Sequence, residues 1–176
     1  MPRSIRKHLI LATLATVLGL AGCDSTSSSS SSALVNFSTT PTGWMKTTDY
    51  KMSSTITADV FLTSVSVTGY PPNAAIVTSP TSGLPVDSAA KLELQTMQLE
   101  SSNFSLDSSK SIKVQGQSAW LLQYRVTEGG YSLLMREILF VYKSKDCQIL
   151  FARLQNDSTS ANATTLRTLE SKIVLN

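Results

Sequence analysis

Twelve acidic residues, one histidine and two cysteines make up the chain's stock of groups that move protons or hold metals. Carboxyls working in pairs support acid/base chemistry without histidine, so Asp87, Glu93, Glu100, Asp107, Glu128 and Glu137 are the first candidates. They are scattered over helix caps, a helix face and turns, and their spacing suggests no close pair. Solvated surface charge is the expectation. Ser108-Ser109-Lys110-Ser111 holds a serine and a lysine, but in a turn between strands, without the helical setting of Ser-x-x-Lys nucleophiles. Glu128-Gly129-Gly130 runs into a strand, whereas a phosphate-cradling glycine loop opens a helix. Arg136 and Glu137 interrupt an apolar strand and, as neighbours, face opposite sides. A structural ion pair or strand-edge charge is the leading expectation for them, and a place in a binding groove is the alternative.

The second cysteine-bearing segment lies at the N-terminus. Arg3, Arg6 and Lys7 precede the uncharged run from Leu9 to Leu20. That run is shorter than the roughly 20 residues of a spanning helix, so residues 1–22 read as a secretory signal peptide. It ends in Leu20-Ala21-Gly22-Cys23, which resembles the lipobox of bacterial lipoproteins. The resemblance implies cleavage before Cys23, a diacylglycerol on its thiol and further acylation, palmitate for instance, of the new amino terminus. Each buried methylene contributes about 0.8 kcal/mol and stable anchoring takes two chains, so the expected partner at Cys23 is a membrane held by acyl chains. Asp24 resembles the enterobacterial signal that avoids transport to the outer membrane. The expected location is therefore the periplasmic face of a cell membrane, the inner favoured over the outer.

Processing changes what the composition means. The first 22 residues hold three of the 15 basic residues and none of the 12 acidic ones, so the remainder is formally neutral. The overall charge of +3 accordingly carries no signal for nucleic acid, and none is expected as a partner. His8 leaves with the same segment, and Ser-His-Asp or Cys-His catalysis and His-containing zinc sites leave with it. No catalytic residue, metal site or cofactor is expected. With Cys23 committed to lipid, Cys147 has no intramolecular partner, and its place before Ile149-Leu150-Phe151 reads as a buried, inert thiol. Residues 23–33, with serines from Ser27 to Ser32, read as a lipidated cysteine and flexible tether.

The rest, 34–176, has the size of one domain with one core. Leu34 to Phe37, Lys51 to Thr57, Asp59 to Thr68 and Ala74 to Thr78 carry extended-chain composition. Asp87 or Ser88 caps an expected helix running to about Ser102, with Ala90, Leu94 and Met97 on its core face and Leu92 and Leu99 broadening the stripe. Ile112 to Val114, Ser118 to Thr127, Tyr131 to Tyr142 and Cys147 to Leu154 form a meander, with turns at Gly116, Glu128-Gly129-Gly130 and Ser144-Lys145-Asp146. Alternation puts Trp120, Leu122, Tyr124 and Val126 on one face and Gln123, Arg125 and Thr127 on the other, so one sheet face is expected to be buried and the other wet or lightly covered. A second helix is expected from Ser160 to about Ser171, and a tail from Lys172 to Leu175 beside the sheet.

The fold class is therefore α+β, an antiparallel β-sheet meander packed against two helices. The order of elements, with Pro41-Thr42-Gly43-Trp44 and the pattern Gly116, Ala119, Leu122 and Tyr124, resembles the PsbP-like fold, and especially the DcrB-like lipoproteins. The Thr/Ser-rich stretch from Lys51 to Pro85 departs from that pattern. The resemblance implies a non-enzymatic binding or accessory role in the cell envelope, engaging an envelope protein or an apolar ligand, with no catalytic residues to carry over. A histidine-independent hydrolase using carboxylates and a structural surface lipoprotein are the alternatives.

Overall fold

Three two-residue turns with both residues at positive φ build the C-terminal half of the sheet. Gln115-Gly116, Gly129-Gly130 and Lys143-Ser144 each adopt this conformation, which matches the right-handed twist of flanking strands. They join β5 (Ser105–Val114), β6 (Gln117–Glu128), β7 (Tyr131–Tyr142) and β8 (Lys145–Leu154) into a continuous meander. The last turn lies at Lys143-Ser144 rather than at Ser144-Lys145-Asp146. Tyr142 pairs with Lys145, so Lys145 and Asp146 already belong to β8. The computed structural model describes residues 33–65, 69–101, 103–157 and 160–176. Residues 1–22, Cys23, Asp24 and the serine run lie outside these.

Upstream, β2 (Trp44–Lys51), β3 (Thr57–Ser64) and β4 (Asn73–Pro80) form antiparallel hairpins, and β4 pairs antiparallel with β8. The resulting strand order is β2-β3-β4-β8-β7-β6-β5. The stretch from Lys51 to Pro85 thus supplies β3 and β4, the strands that carry the sheet beyond the meander. Lys51 to Thr57 is not one strand: Lys51 ends β2, Thr57 opens β3 and the residues between them turn. The Met52 and Ser53 amides both donate to the Ile56 carbonyl, and the Ser53 hydroxyl oxygen accepts from the Thr55 and Ile56 amides, closing a turn where an extended segment was expected.

Both faces of the sheet are covered, not one. In β8 Cys147, Ile149 and Phe151 point to one side, and Leu150 and Ala152 to the other, and all are buried. A small ribbon of β1 (Val35–Phe37) and β9 (Ile173–Leu175), with α2 (Ser160–Glu170), lies on the first side. There Phe37, Leu166, Leu169 and Ile173 close over Leu62, Ile76, Phe140 and Phe151. The C-terminal tail therefore pairs with β1 instead of extending the large sheet. The helix α1 (Val86–Glu100) covers the second side, where Ala90, Leu94 and Met97 meet Leu122, Tyr124, Met135 and Leu150. β6 feeds both layers: Leu121, beside the expected inward set, is buried in the first core while Leu122 and Tyr124 are buried in the second.

The start and the stripe of α1 also differ from expectation. Pro85 is the N-cap, with no side-chain cap, because its extended backbone and fixed φ leave Val86 free to begin the helix. Asp87 falls in the first turn, where the helix dipole favours it, and pairs with Lys91 at 3.5 Å. Leu92 and Leu99 do not join the core; Leu99 is 88% exposed. No helix among the described residues is long and apolar enough to cross a membrane.

Candidate functional site

The N-terminal half of α1 does not close completely on the sheet. Between it, the turn before β3, and strands β3, β4, β7 and β8 lies a cavity of about 730 Å³, within the roughly 300–1,000 Å³ of small-molecule sites. Ile56, Val77, Leu84, Val86 and Leu139 form its apolar wall. Its charged lining is acidic: among the described residues Asp49, Asp59, Glu93 and Asp146 reach it beside neutral polar ones such as Thr57 and Gln148, and no lysine or arginine does.

Each carboxyl is placed by a different local device. Asp146 Oδ1 accepts from the Thr81 hydroxyl at 2.9 Å and Oδ2 from the Ser82 amide at 2.8 Å, which ties the segment before α1 to β8. In β2, Asp49 has φ 53°; Thr48 pairs with Val60 and Tyr50 with Ala58, so Asp49 lies opposite Asp59. Asp59 Oδ2 is buried and has no hydrogen-bond partner among the described residues. Glu93 sits three residues after Ala90 and four before Met97, inside the stripe that α1 turns to the sheet. Burial, then the nearby Glu137 and Glu100, pushes its carboxyl up to about 8.

Gln148, also in the wall, connects the cavity to a sealed group behind it. Its Nε2 donates to Glu137 Oε1 at 2.5 Å, and the Tyr124 hydroxyl donates to Oε2 at 3.2 Å. Glu137 is 0% exposed in the centre of the sheet, and burial pushes it up to about 7 against the lowering effect of both donors. Tyr124 is raised well above its usual value by burial, then by Glu137 and Glu93. Solvated surface charge thus fails for Glu93 and Glu137. They are 44 residues apart in sequence, but the packing of α1 on β7 makes them an interacting pair, Glu137 buried and Glu93 half-buried. Of the two, only Glu93 lines the cavity.

Arg136 faces the other layer, where its Nε and Nη2 donate to Glu170 of α2 at 2.7 and 2.8 Å, so it and Glu137 do not share a site. Arg125 Nη2 lies 2.6 Å from Asp107. The described residues contain no group of three or more His, Cys, Asp or Glu able to hold a metal ion. Asp59 escaped sequence reasoning and Glu93 was assigned to solvated surface, although each left a signal: a carboxylate at an inward position of an otherwise apolar strand or helical stripe. Asp146 and Gln148 left none, since polar residues on a strand near a turn are ordinary.

Cys147 is 1% exposed, its thiol donates to the Lys145 carbonyl at 3.7 Å, and burial first of all pushes it up to about 11. At pH 7 a soluble thiol reagent is expected to modify Cys147 on the order of a hundredfold more slowly in the native protein than in denaturant. Equal rates by mass spectrometry would show that β8 opens readily.

No protein-family model matches the chain, and no curated protein matches it. Solved structures do. The solution structure of cyanobacterial PsbP (CyanoP) from Synechocystis sp. PCC 6803 superposes with a TM-score of 0.61 at 14% identity, covering 89% of this chain and 99% of that one. LpqN of Mycobacterium tuberculosis, described as involved in cell envelope biogenesis, gives 0.59 at 14% identity over 80% and 82%. The protein of unknown function PA94 from Pseudomonas aeruginosa gives 0.52 at 16% identity over 60% and 74%. The chain has the PsbP-like α+β fold.

Proposed function

We propose that this protein is a lipid-anchored accessory protein of the bacterial cell envelope that binds an apolar ligand in the cavity beneath α1 and performs no catalysis. The observation that carries the reading is the cavity itself: a concave space of about 730 Å³ walled by a helix and strands, with apolar residues over about half of its lining and four carboxyls to orient what enters. The fold shared with an envelope-biogenesis protein supports the setting, and the Leu20-Ala21-Gly22-Cys23 motif supports the anchor. In this reading Cys23 holds the acyl chains, Asp24 favours the inner membrane and residues 24–33 give the domain its reach. Glu137 supports the non-catalytic reading, because an acid sealed behind Gln148 and Tyr124 has no open path to a substrate.

The test uses the full chain in a bacterial host. Cys23→Ala is expected to abolish palmitate incorporation and move the protein out of the membrane fraction. Native mass spectrometry of the wild type is expected to show a bound small molecule that a cavity-filling Leu139→Trp change displaces. Palmitate labelling of the Cys23→Ala protein sinks the anchor. A wild type that stays empty, in membrane extracts and after incubation with apolar compounds, sinks the ligand site.

A further inference from the structure

Among the described residues four acidic side chains and no basic one line the cavity, whose lining is about half apolar, and that charge imbalance selects the charge of the occupant. Asp59 Oδ2 is the more specific sign. That oxygen is buried and lacks a donor among the described residues, on a half-buried side chain that belongs to the cavity wall. A buried carboxylate oxygen without a donor is costly, so a ligand donor that the Asp59 carboxylate can turn to meet relieves that cost. Asp49, exposed at the rim, takes the register position opposite Asp59, between the pairs Thr48–Val60 and Tyr50–Ala58. Glu93 closes the group from α1.

We propose that the cavity takes an organic amine: a ligand with an ammonium group on an apolar body, the ammonium seated among Asp49, Asp59 and Glu93 and the body lying along Ile56, Val77 and Leu139. This rests on the cavity being a ligand site, as proposed above. An ammonium supplies donors to the Asp59 carboxylate, whose Oδ2 has none among the described residues, and its charge complements the acidic lining. A bare metal ion does not fill a space of this size, and the described carboxylates do not form a metal-binding group. A fatty-acid carboxylate would bring a fifth acid against four. Burial holds Glu93 largely protonated near pH 7 in the empty cavity, its carboxyl raised to about 8. An adjacent ammonium favours its ionised form, so binding releases a proton and tightens as pH rises from 6 to 8.

The full lipidated chain, in nonionic detergent, is titrated with three fluorescent probes of similar body: dansylcadaverine (cationic), its N-acetyl derivative (neutral) and 11-(dansylamino)undecanoic acid (anionic), each corrected for detergent alone. Dansylcadaverine is expected to bind at one site, at least about tenfold tighter than the other two, and several-fold tighter at pH 8 than at pH 6. Asp59→Asn, and Glu93→Gln as a second variant on the more accessible helix, are expected to weaken it about tenfold while circular dichroism stays native. Equal binding of the acetylated probe, or an unchanged affinity in both folded variants, overturns the preference for an amine and leaves the cavity as an apolar ligand site. Binding of no probe, whatever its charge, overturns both readings.

Discussion

Glu137→Gln is expected to raise the melting temperature at pH 8 by about 5 °C and to leave it nearly unchanged at pH 5. Glu137 is entirely buried, and its carboxyl is raised from the ordinary 4.5 to about 7, burial being the largest cause. A carboxyl whose folded-state value lies above its unfolded value binds its proton more tightly when folded. Its contribution is complete below pH 4.5 and is lost as pH climbs through about 7, with Glu93 extending the loss toward 8. The wild type should therefore melt lower at pH 8 than at pH 5. Ionising the buried Glu137 beside Glu93 costs on the order of 2 kcal/mol at the alkaline end, and for a domain of this size each kcal/mol moves the melting temperature by roughly 3 °C. Glutamine removes the charge and still accepts from the Tyr124 hydroxyl, with a turned Gln148 amide able to meet its NH2. Calorimetry from pH 5 to 8 decides the point, since a variant destabilised equally across that range would show that Glu137 is held ionised.

Phe151→Ala should destabilise the protein by about 3–5 kcal/mol, enough to lower the melting temperature by more than 10 °C. Phe151 is 2% exposed and meets Phe37 edge-on with ring centroids 6.1 Å apart, so its loss opens a cavity under the β1–β9 ribbon. That ribbon is too short to hold itself by backbone pairing, and the aromatic contact is what seats it on the sheet. Leu99→Ala, at the exposed end of α1, serves as the comparison and should stay within about 0.5 kcal/mol. Denaturant melts of the two variants check both figures, and a Phe151→Ala cost below 1 kcal/mol would mean that the first core is not sealed by β1 and β9.

These residues also show where sequence reading stops. Strand alternation around Trp120, Leu122 and Tyr124 marks one buried face correctly, but it cannot say that Leu121 is buried as well, because the ribbon and α2 that cover it come from the two ends of the described domain. Leu92 and Leu99 sit at helical spacing with the core residues, and only the angle at which α1 meets the sheet turns them outward. Lys51 to Thr57 has the composition of a strand, yet the Ser53 side chain bonds the local backbone and makes a turn.

What the sequence determined by itself is what depends on neighbours along the chain. Glycines and short turns specify the meander, helical periodicity specifies α1 and α2, and composition leaves residues 9–176 without a histidine. Tertiary structure alone decided the candidate site. Strand register sets Asp49 opposite Asp59, Glu93 reaches Glu137 across 44 residues by helix packing, and Asp146 fastens the segment that starts α1. The physical reason is that hydrogen-bonded turns and periodic faces are written in local torsions and spacing, whereas desolvation and charge proximity exist only once distant segments share a space.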